Sequence, residues 1–391
     1  MSLSQRKRVI LVKPEGTYGT DSVPTAAEAV LCSNLDITPL DGSSVERNNI
    51  QPYFGQSGSI RVENFVSMTF DTEIAGSGTA ATAPEWGPLL KASNFSETVT
   101  ASPITGTGTA GTTSSITLAA GASAVNDFYT GMSISITDGT GVGQTREIIG
   151  YVGSTKVATV ANLFTVAPDA TSAYSIGANV MYVPNSDFGT ATANTSVSIY
   201  FNVDGVRHVL LGARGTPSFD LSAKVIPKIK WKFIGLLGTI TDEVLPSADF
   251  AGWQTPVTTS TANTTDINLL GYTGAVLQTL TFDIANDVKY RQLIGSEWVM
   301  IGDRKPAGNV SIEAVTVATK DWWTVAKTAG TGVFCVKHGQ VAGNIVGFTA
   351  PKVQLTNPKY SDSDGVTMLD FGMDFIPSSA AGNDEIRICC K

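Results

Sequence analysis

Lys228-Ile-Lys-Trp-Lys-Phe-Ile234 alternates charged and apolar residues as far as Phe233. Successive side chains of a strand point to opposite faces, so this run is a strand with one wet face and one buried face. Ile229, Trp231 and Phe233 belong to a core, and Lys228, Lys230 and Lys232 share the other side. Similar strand-like runs fall at residues 35–38, 68–74, 196–203, 217–221, 277–285, 309–317, 333–336, 352–355 and 366–376. Asp204-Gly205, His338-Gly339 and Asp364-Gly365 supply turns between them. The chain reads as mainly β.

Only two segments carry a helical pattern. One is 84–95, with Pro84 in a good first-turn position. The other is 320–329, with Thr319 as N-cap and Asp321 in the first turn, where the helix dipole favours an acid. Trp86, Leu89, Trp322 and Val325 are the expected core contacts of these helices.

The helices expose a repeat. Glu85-Trp86 precedes Lys91 as Asp321-Trp322 precedes Lys327. Phe70-Asp71 and Ile312-Glu313 occupy matching strands ahead of them. The turn glycines Gly205 and Gly339 lead, at equal distance, to Pro217-Ser-Phe-Asp-Leu221 and Pro351-Lys-Val-Gln-Leu355. Leu35-Asp36-Ile37 mirrors Phe282-Asp283-Ile284, and the apolar series of Ile229, Trp231 and Phe233 mirrors Leu369, Phe371, Met373 and Phe375. Five coincidences in one order predict a duplicated β-domain with one helix per copy. The first copy is split: residues 1–98 with 176–245. Residues 99–175, rich in Gly, Ala, Ser and Thr, read as a small inserted β-module with strands at 132–137, 144–151 and 156–160. Insertion into a surface loop costs little closure entropy. A Pro/Thr-rich linker, 244–271, leads into the second copy, so 246–391 holds linker and second domain.

Composition narrows the chemistry. The 391 residues include two histidines, which leaves little room for a His-built metal site or a His-centred enzyme. Lys+Arg 26 against Asp+Glu 34 gives a net charge of −8, the wrong sign for gripping phosphates. Charged residues are only 15% of the chain, below the roughly 25% of an ordinary soluble domain, which points to surface covered by neighbours. No apolar stretch reaches the roughly 18 residues of a membrane span. Arg6-Lys-Arg8 is followed by an apolar run, 9–12, too short for a signal-peptide core, so assembly in a cytoplasm is expected. The four cysteines form no disulfide framework.

Motif-like stretches read as turns. Gly139-Thr-Gly-Val-Gly-Gln-Thr145 has Gln144 where a phosphate loop needs Lys, and no helix follows. Asp362-Ser-Asp-Gly365 lacks the acid a calcium loop needs eleven residues on; Met373 stands there. Trp86, Trp231, Trp322 and Trp323 have no basic interleaving and read as packing residues, not base-stacking ones. Neither His208 nor His338 carries a nucleophile signature. No catalytic residue, cofactor or metal is assigned.

Several separate stretches resemble one family. They are Ile74-Ala-Gly-Ser-Gly-Thr-Ala80 leading into Ala83-Pro-Glu-Trp-Gly-Pro-Leu-Leu-Lys-Ala92, Gly212-Ala-Arg-Gly215, Gly302-Asp-Arg-Lys-Pro306, and Leu355-Thr-Asn-Pro-Lys-Tyr-Ser-Asp-Ser-Asp-Gly365. Together they resemble the major tail tube proteins of long, non-contractile-tailed bacteriophages. The likeness spans nearly the whole chain outside the insert. The insert, with Tyr129-Thr-Gly-Met132, resembles small modules of phage structural proteins. The resemblance implies two β-sandwich or barrel-like tube domains whose inner strands join neighbours around a lumen. Rings then stack into a tube that conducts DNA in a virion tail, with tape measure protein, tail terminator and passing DNA as partners and no membrane. A duplicated member implies a trimer with pseudo-sixfold geometry.

Dimensions agree with three chains. About four inner strands per half make a barrel of about 24 strands, which is about 48 Å across with a lumen of about 38 Å. A duplex about 20 Å wide passes. Three halves alone leave about 14 Å. An acidic lumen repels phosphates and lets DNA slide. Alternation puts Asp36, Asp71, Glu73, Asp220, Asp283, Glu313, Asp370 and Asp374 opposite the core, against the three lysines of the Trp231 strand. These acids are either lumen-facing or ordinary solvent-facing residues. Residues 45–63 and the arm 1–20 are either ring-to-ring contacts or loose loops. The insert belongs outside the tube. Competing readings are a decoration or baseplate protein, a secreted β-sandwich adhesin, which calls for a signal peptide, and a carbohydrate-active enzyme, which needs a paired-carboxylate cleft.

Overall fold

A computed structural model describes residues 3–186 and 196–391; residues 1 and 2 of the N-terminal arm lie outside the described residues. The fold is mainly β, with two α-helices among the described residues. Twelve strands build the body: β1 (Arg8–Pro14), β2 (Ser33–Asp41), β3 (Phe65–Glu73), β4 (Val197–Val203), β5 (Val206–Asp220), β6 (Lys228–Asp242), β7 (Thr264–Leu269), β8 (Leu277–Asp283), β9 (Ala307–Glu313), β10 (Thr331–His338), β11 (Val346–Ser363) and β12 (Val366–Phe375). Pairing runs β2-β3-β6-β5-β4-β1 in one set and β8-β9-β12-β11-β10-β7 in the other, all antiparallel. The order of six strands is the same. The end of β5 then pairs with β8, Ser218 opposite Asp283 and Asp220 opposite Thr281. One inner sheet of eight strands therefore crosses the chain: β2-β3-β6-β5-β8-β9-β12-β11. No sheet among the described residues closes into a barrel.

Alternation works as the Trp231 strand predicts. Ile229, Trp231, Phe233, Phe70, Phe219, Phe282, Phe371 and Met373 are buried in one continuous core. Strands β5 and β11 are long and bulged, so each serves the inner sheet with one half and the covering layer with the other. Bulges bend a strand and let it change partners.

Both helices are shorter than the sequence pattern. The first, α1 (Gly87–Lys91), starts after Pro84, with Pro88 in its first turn. It stops because Asn94 takes φ +67° and Phe95 opens a strand. The second, α2 (Trp322–Lys327), is capped by Asp321, not Thr319: the Asp321 carboxylate accepts the Thr324 N–H at 2.9 Å. Helices this short are held by packing. Trp86 and Leu89 are fully buried, Trp322 packs on Tyr272 and Phe371, and Val325 is half-buried against the same core.

The register corrects two of the repeat coincidences. Asp41 lies opposite Phe65 and Asp283 opposite Ala307, each three residues before a hairpin, so Asp283 corresponds to Asp41 and not to Asp36. Ser218 lies opposite Lys230 and Ser361 opposite Met368, in matching places on β6 and β12, so residues 217–220 correspond to 360–363 and not to 351–354. The cause is loop length. The Asp204-Gly205 turn is two residues, whereas residues 339–345 separate β10 from β11.

The insert leaves the body between Phe95–Thr100 and Asn179–Pro184, which pair with each other. It forms its own seven-stranded sheet. Its core takes in Met181 and Cys389 from the body. Asn268 donates to Ala161 O at 2.7 Å, Asn162 donates to Asp266 at 2.9 Å, and Lys391 forms a buried ion pair with Glu147. Burial alone pulls the Lys391 ammonium down, but the Glu147 carboxylate more than offsets this and holds it above its ordinary value. Lys391→Ala leaves Glu147, 1% exposed, without its cation. The expected cost is about 3–5 kcal/mol, read as a fall in the thermal midpoint. Lys391→Met with Glu147→Leu recovers most of it, because neither charge is then buried alone. From neutral pH up to about pH 10 the pair's contribution is fully present, and it fades as pH rises through the elevated Lys391 value.

Candidate self-assembly surface

The inner sheet has one apolar and one polar face, and its polar face is in register from end to end. One row reads Asp71, Lys230, Ser218, Asp283, Ala307, Asp374, Gln354. The next reads Glu73, Lys228, Asp220, Thr281, Asn309, Gly372, Thr356. Small and hydroxyl residues lie between the charges on this face. Seven of the predicted acids lie on it within these strands, and Asp36 joins from the edge strand opposite Thr69.

The charges are partly paired. Lys230 stands 3.1 Å from Asp220, Lys228 3.9 Å from Asp71 and Lys359 4.0 Å from Asp370. Burial pushes the Asp220 carboxyl up, but hydrogen bonds from Ser222 and Lys230 outweigh it and hold it below the ordinary range. Ser311 donates to Asp370 at 2.6 Å. Asp36, Glu73, Asp283, Glu313 and Asp374 form no ion pair among the described residues. Exposed pairs of this kind contribute little stability, so the pattern matters for the field the face presents. Lys359 pairs in register with Asp370, and Lys352 alternates with Gln354 and Thr356 on the same face. The run 352–355 read from the sequence stops short of Lys359, which the longer β11 carries onto this face. With both included, and with Asp41, which lies opposite Phe65 on this face and accepts from the Ser67 hydroxyl, nine acids face five lysines and the excess is four.

Two hairpins extend this sheet. Ser44–Glu46 with Ser59–Arg61 joins β2 to β3, and Asn286–Leu293 with Ser296–Arg304 joins β8 to β9. Strands β2 and β8 are four antiparallel steps apart, so they run in one direction and both hairpins leave the same end. Their tips carry Phe54 and Ile294, fully exposed at 107% and 108%, beside Ile50, Tyr53 and Leu293. Exposed apolar clusters of this kind mark contact surfaces. The second hairpin is anchored at its base: Val299 N–H donates to the Tyr18 hydroxyl at 2.6 Å and Arg214 donates to Val299 O at 2.8 Å. The Phe65 ring lies 4.9 Å from Tyr290 and ties the hairpins together. The second hairpin was not anticipated; its signal was the Leu293-Ile294-Gly295 tip between two alternating runs.

Other reactive groups are packing elements. His338 sits between the Thr264 hydroxyl (3.0 Å) and Val257 O (3.1 Å), and His208 lies against Phe201. Burial lowers the pKa of both. Burial pushes the Cys335 and Cys389 thiols up to about 12. Among the described residues no cluster of three or more His, Cys, Asp or Glu is placed to hold a metal. No helix there is long and apolar enough to cross a membrane.

The surface therefore combines an extended sheet with open edges among the described residues, a wet face and apolar arms at one end. The phage tail tube protein family matches residues 5–374, and the chain belongs to that family. It is a structural component of a virion tail. No curated protein matches the chain.

Proposed function

We propose that three chains close into a pseudo-hexameric ring, that rings stack into a non-contractile tail tube, and that DNA passes through the lumen to the host. One observation carries this reading: each chain contributes an unbroken eight-stranded sheet with a polar face and two free edges, β2 and the outer half of β11. Three such sheets supply the 24 strands of the dimension estimate. In this reading the two six-strand sets are duplicated tube domains, 1–98 with 176–245 and 246–391, and the module 99–175 stands outside. The polar face lines the lumen, no catalysis is performed, and tape measure protein and tail terminator set the length of a tube assembled in the host cytoplasm. Negative-stain microscopy of concentrated protein tests it. Threefold rings or hollow tubes with a lumen of about 38 Å are expected; monomers alone at high concentration overturn it.

A further inference from the structure

The inner sheet already contains one junction between repeats, and that junction is a template for the next. On the ladder between β5 and β8, Ile284 N–H donates to Pro217 O at 3.1 Å and Leu221 N–H to Leu280 O at 2.8 Å. Antiparallel pairs alternate, so Phe219 with Phe282 is the hydrogen-bonded pair, flanked by the non-bonded pairs Ser218–Asp283 and Asp220–Thr281. Asp41 corresponds to Asp283, Thr38 to Thr281, Ser361 to Ser218 and Ser363 to Asp220. A second copy docked on β2 in this register puts Ser361 opposite Asp41, Ser363 opposite Thr38, and Asp362 N–H onto Leu40 O.

In the single chain that carbonyl is taken. Arg61 donates through Nη2 to Leu40 O at 2.8 Å and Asp41 O at 2.6 Å, with its Nε held by Asn64 at 2.8 Å. Further along the same strand Arg8 donates to Leu35 O at 2.9 Å. The counterpart of Leu35 is Gln278, whose carbonyl accepts Ala223 N–H in the internal junction. The tight Asp364-Gly365 turn ends β11 short of a counterpart to Ala223. The incoming β11 is itself held back, because Gln278 donates to the Ser363 hydroxyl at 2.6 Å.

We infer that Arg61 guards the ring-closing edge: its guanidinium stands in for the backbone donor of a second copy of this chain and is displaced when β11 of that copy docks on β2. Arg8 is a permanent cap beyond the reach of the incoming strand. Unpaired strand edges template uncontrolled pairing, and a cation on the edge is one way to blunt them. The inference rests on the tube reading and specifies its register.

The test uses the full chain. Assembly onset is followed by light scattering and sedimentation for the parent, Arg61→Ala and Arg8→Ala. Arg61→Ala is expected to assemble at about tenfold lower concentration, because a charge-assisted bond is lost only from the free edge; Arg8→Ala is expected to shift it little. Separately, Thr38→Cys with Ser363→Cys, in a Cys32→Ser background, is oxidised after assembly. Chain-to-chain disulfides are expected, with Thr281→Cys and Asp220→Cys closing within one chain as control. An unchanged onset for Arg61→Ala, or tubes that form while only the control pair closes, overturns the inference and leaves the tube reading intact. A parent chain that forms no ring at any concentration overturns both.

Discussion

Phe54→Asp combined with Ile294→Asp is expected to stop tube growth while the chain folds normally. Both side chains stand free of their own chain at hairpin tips. Substitution there removes no internal contact, and surface changes of this kind move stability by less than about 0.5 kcal/mol. The loss falls on association. Burying each of these side chains at a ring-to-ring contact is worth about 1.5–3 kcal/mol, and a ring of three chains presents six of them. The new carboxylates must also be desolvated without partners. The two hairpins leave the same end of the sheet and are joined through Phe65 and Tyr290, so the pair acts as one docking surface. Either single variant should weaken polymerisation and the double variant should abolish it. The check is sedimentation together with thermal unfolding. Growth of normal tubes by the double variant means that other loops carry the stacking.

How far the fold was legible depended on which physical signal each part carries. A sheet wet on one face writes its period into the residues, so Lys228 to Phe233 can be read directly, as can the buried Trp86 and Trp322 at the starts of the two helices. Register is different. A bulge moves no residue type, yet the steps between Thr38 and Asp41 and between Thr356 and Lys359 shift which residues correspond between copies. For that reason the sequence alone pairs Asp36 with Asp283 and leaves Lys359 out of the face. In the insert, strands such as Ile104–Thr107, Ala110–Thr112 and Ala173–Ile176 are three or four residues long and carry at most two large apolar residues each. Apolar alternation is too sparse there to register, and their order comes from pairing within the module. The α2 cap was misplaced by two residues because Thr319 and Asp321 are both good caps, and only the Asp321–Thr324 bond decides between them.

The acid excess on the polar face is what separates a conduit from a trap, and its smallness makes it testable. Glu313→Lys with Asp374→Lys is the sharpest probe. Both residues are exposed and neither makes an ion pair among the described residues, so folding and ring closure should survive. The swing is four charges per chain, which cancels an excess of four acids. A lumen of about 38 Å leaves about 9 Å between wall and duplex on each side, close to the Debye length of about 10 Å at 0.1 M salt. The parent wall therefore acts at close approach, where it keeps phosphates from settling. Lysines at the same places release counterions from the DNA and hold it. Virions carrying the double variant should form tails of normal length and eject DNA at least tenfold more slowly at 50 mM salt. Recovery as salt rises towards 0.5 M is the signature of screening and is not expected from a misfolded tube. The neutral pair Glu313→Gln with Asp374→Asn should fall between the two. Ejection at the parental rate from intact lysine-bearing tubes, at every salt concentration, means that this face either does not line the lumen or does not govern passage.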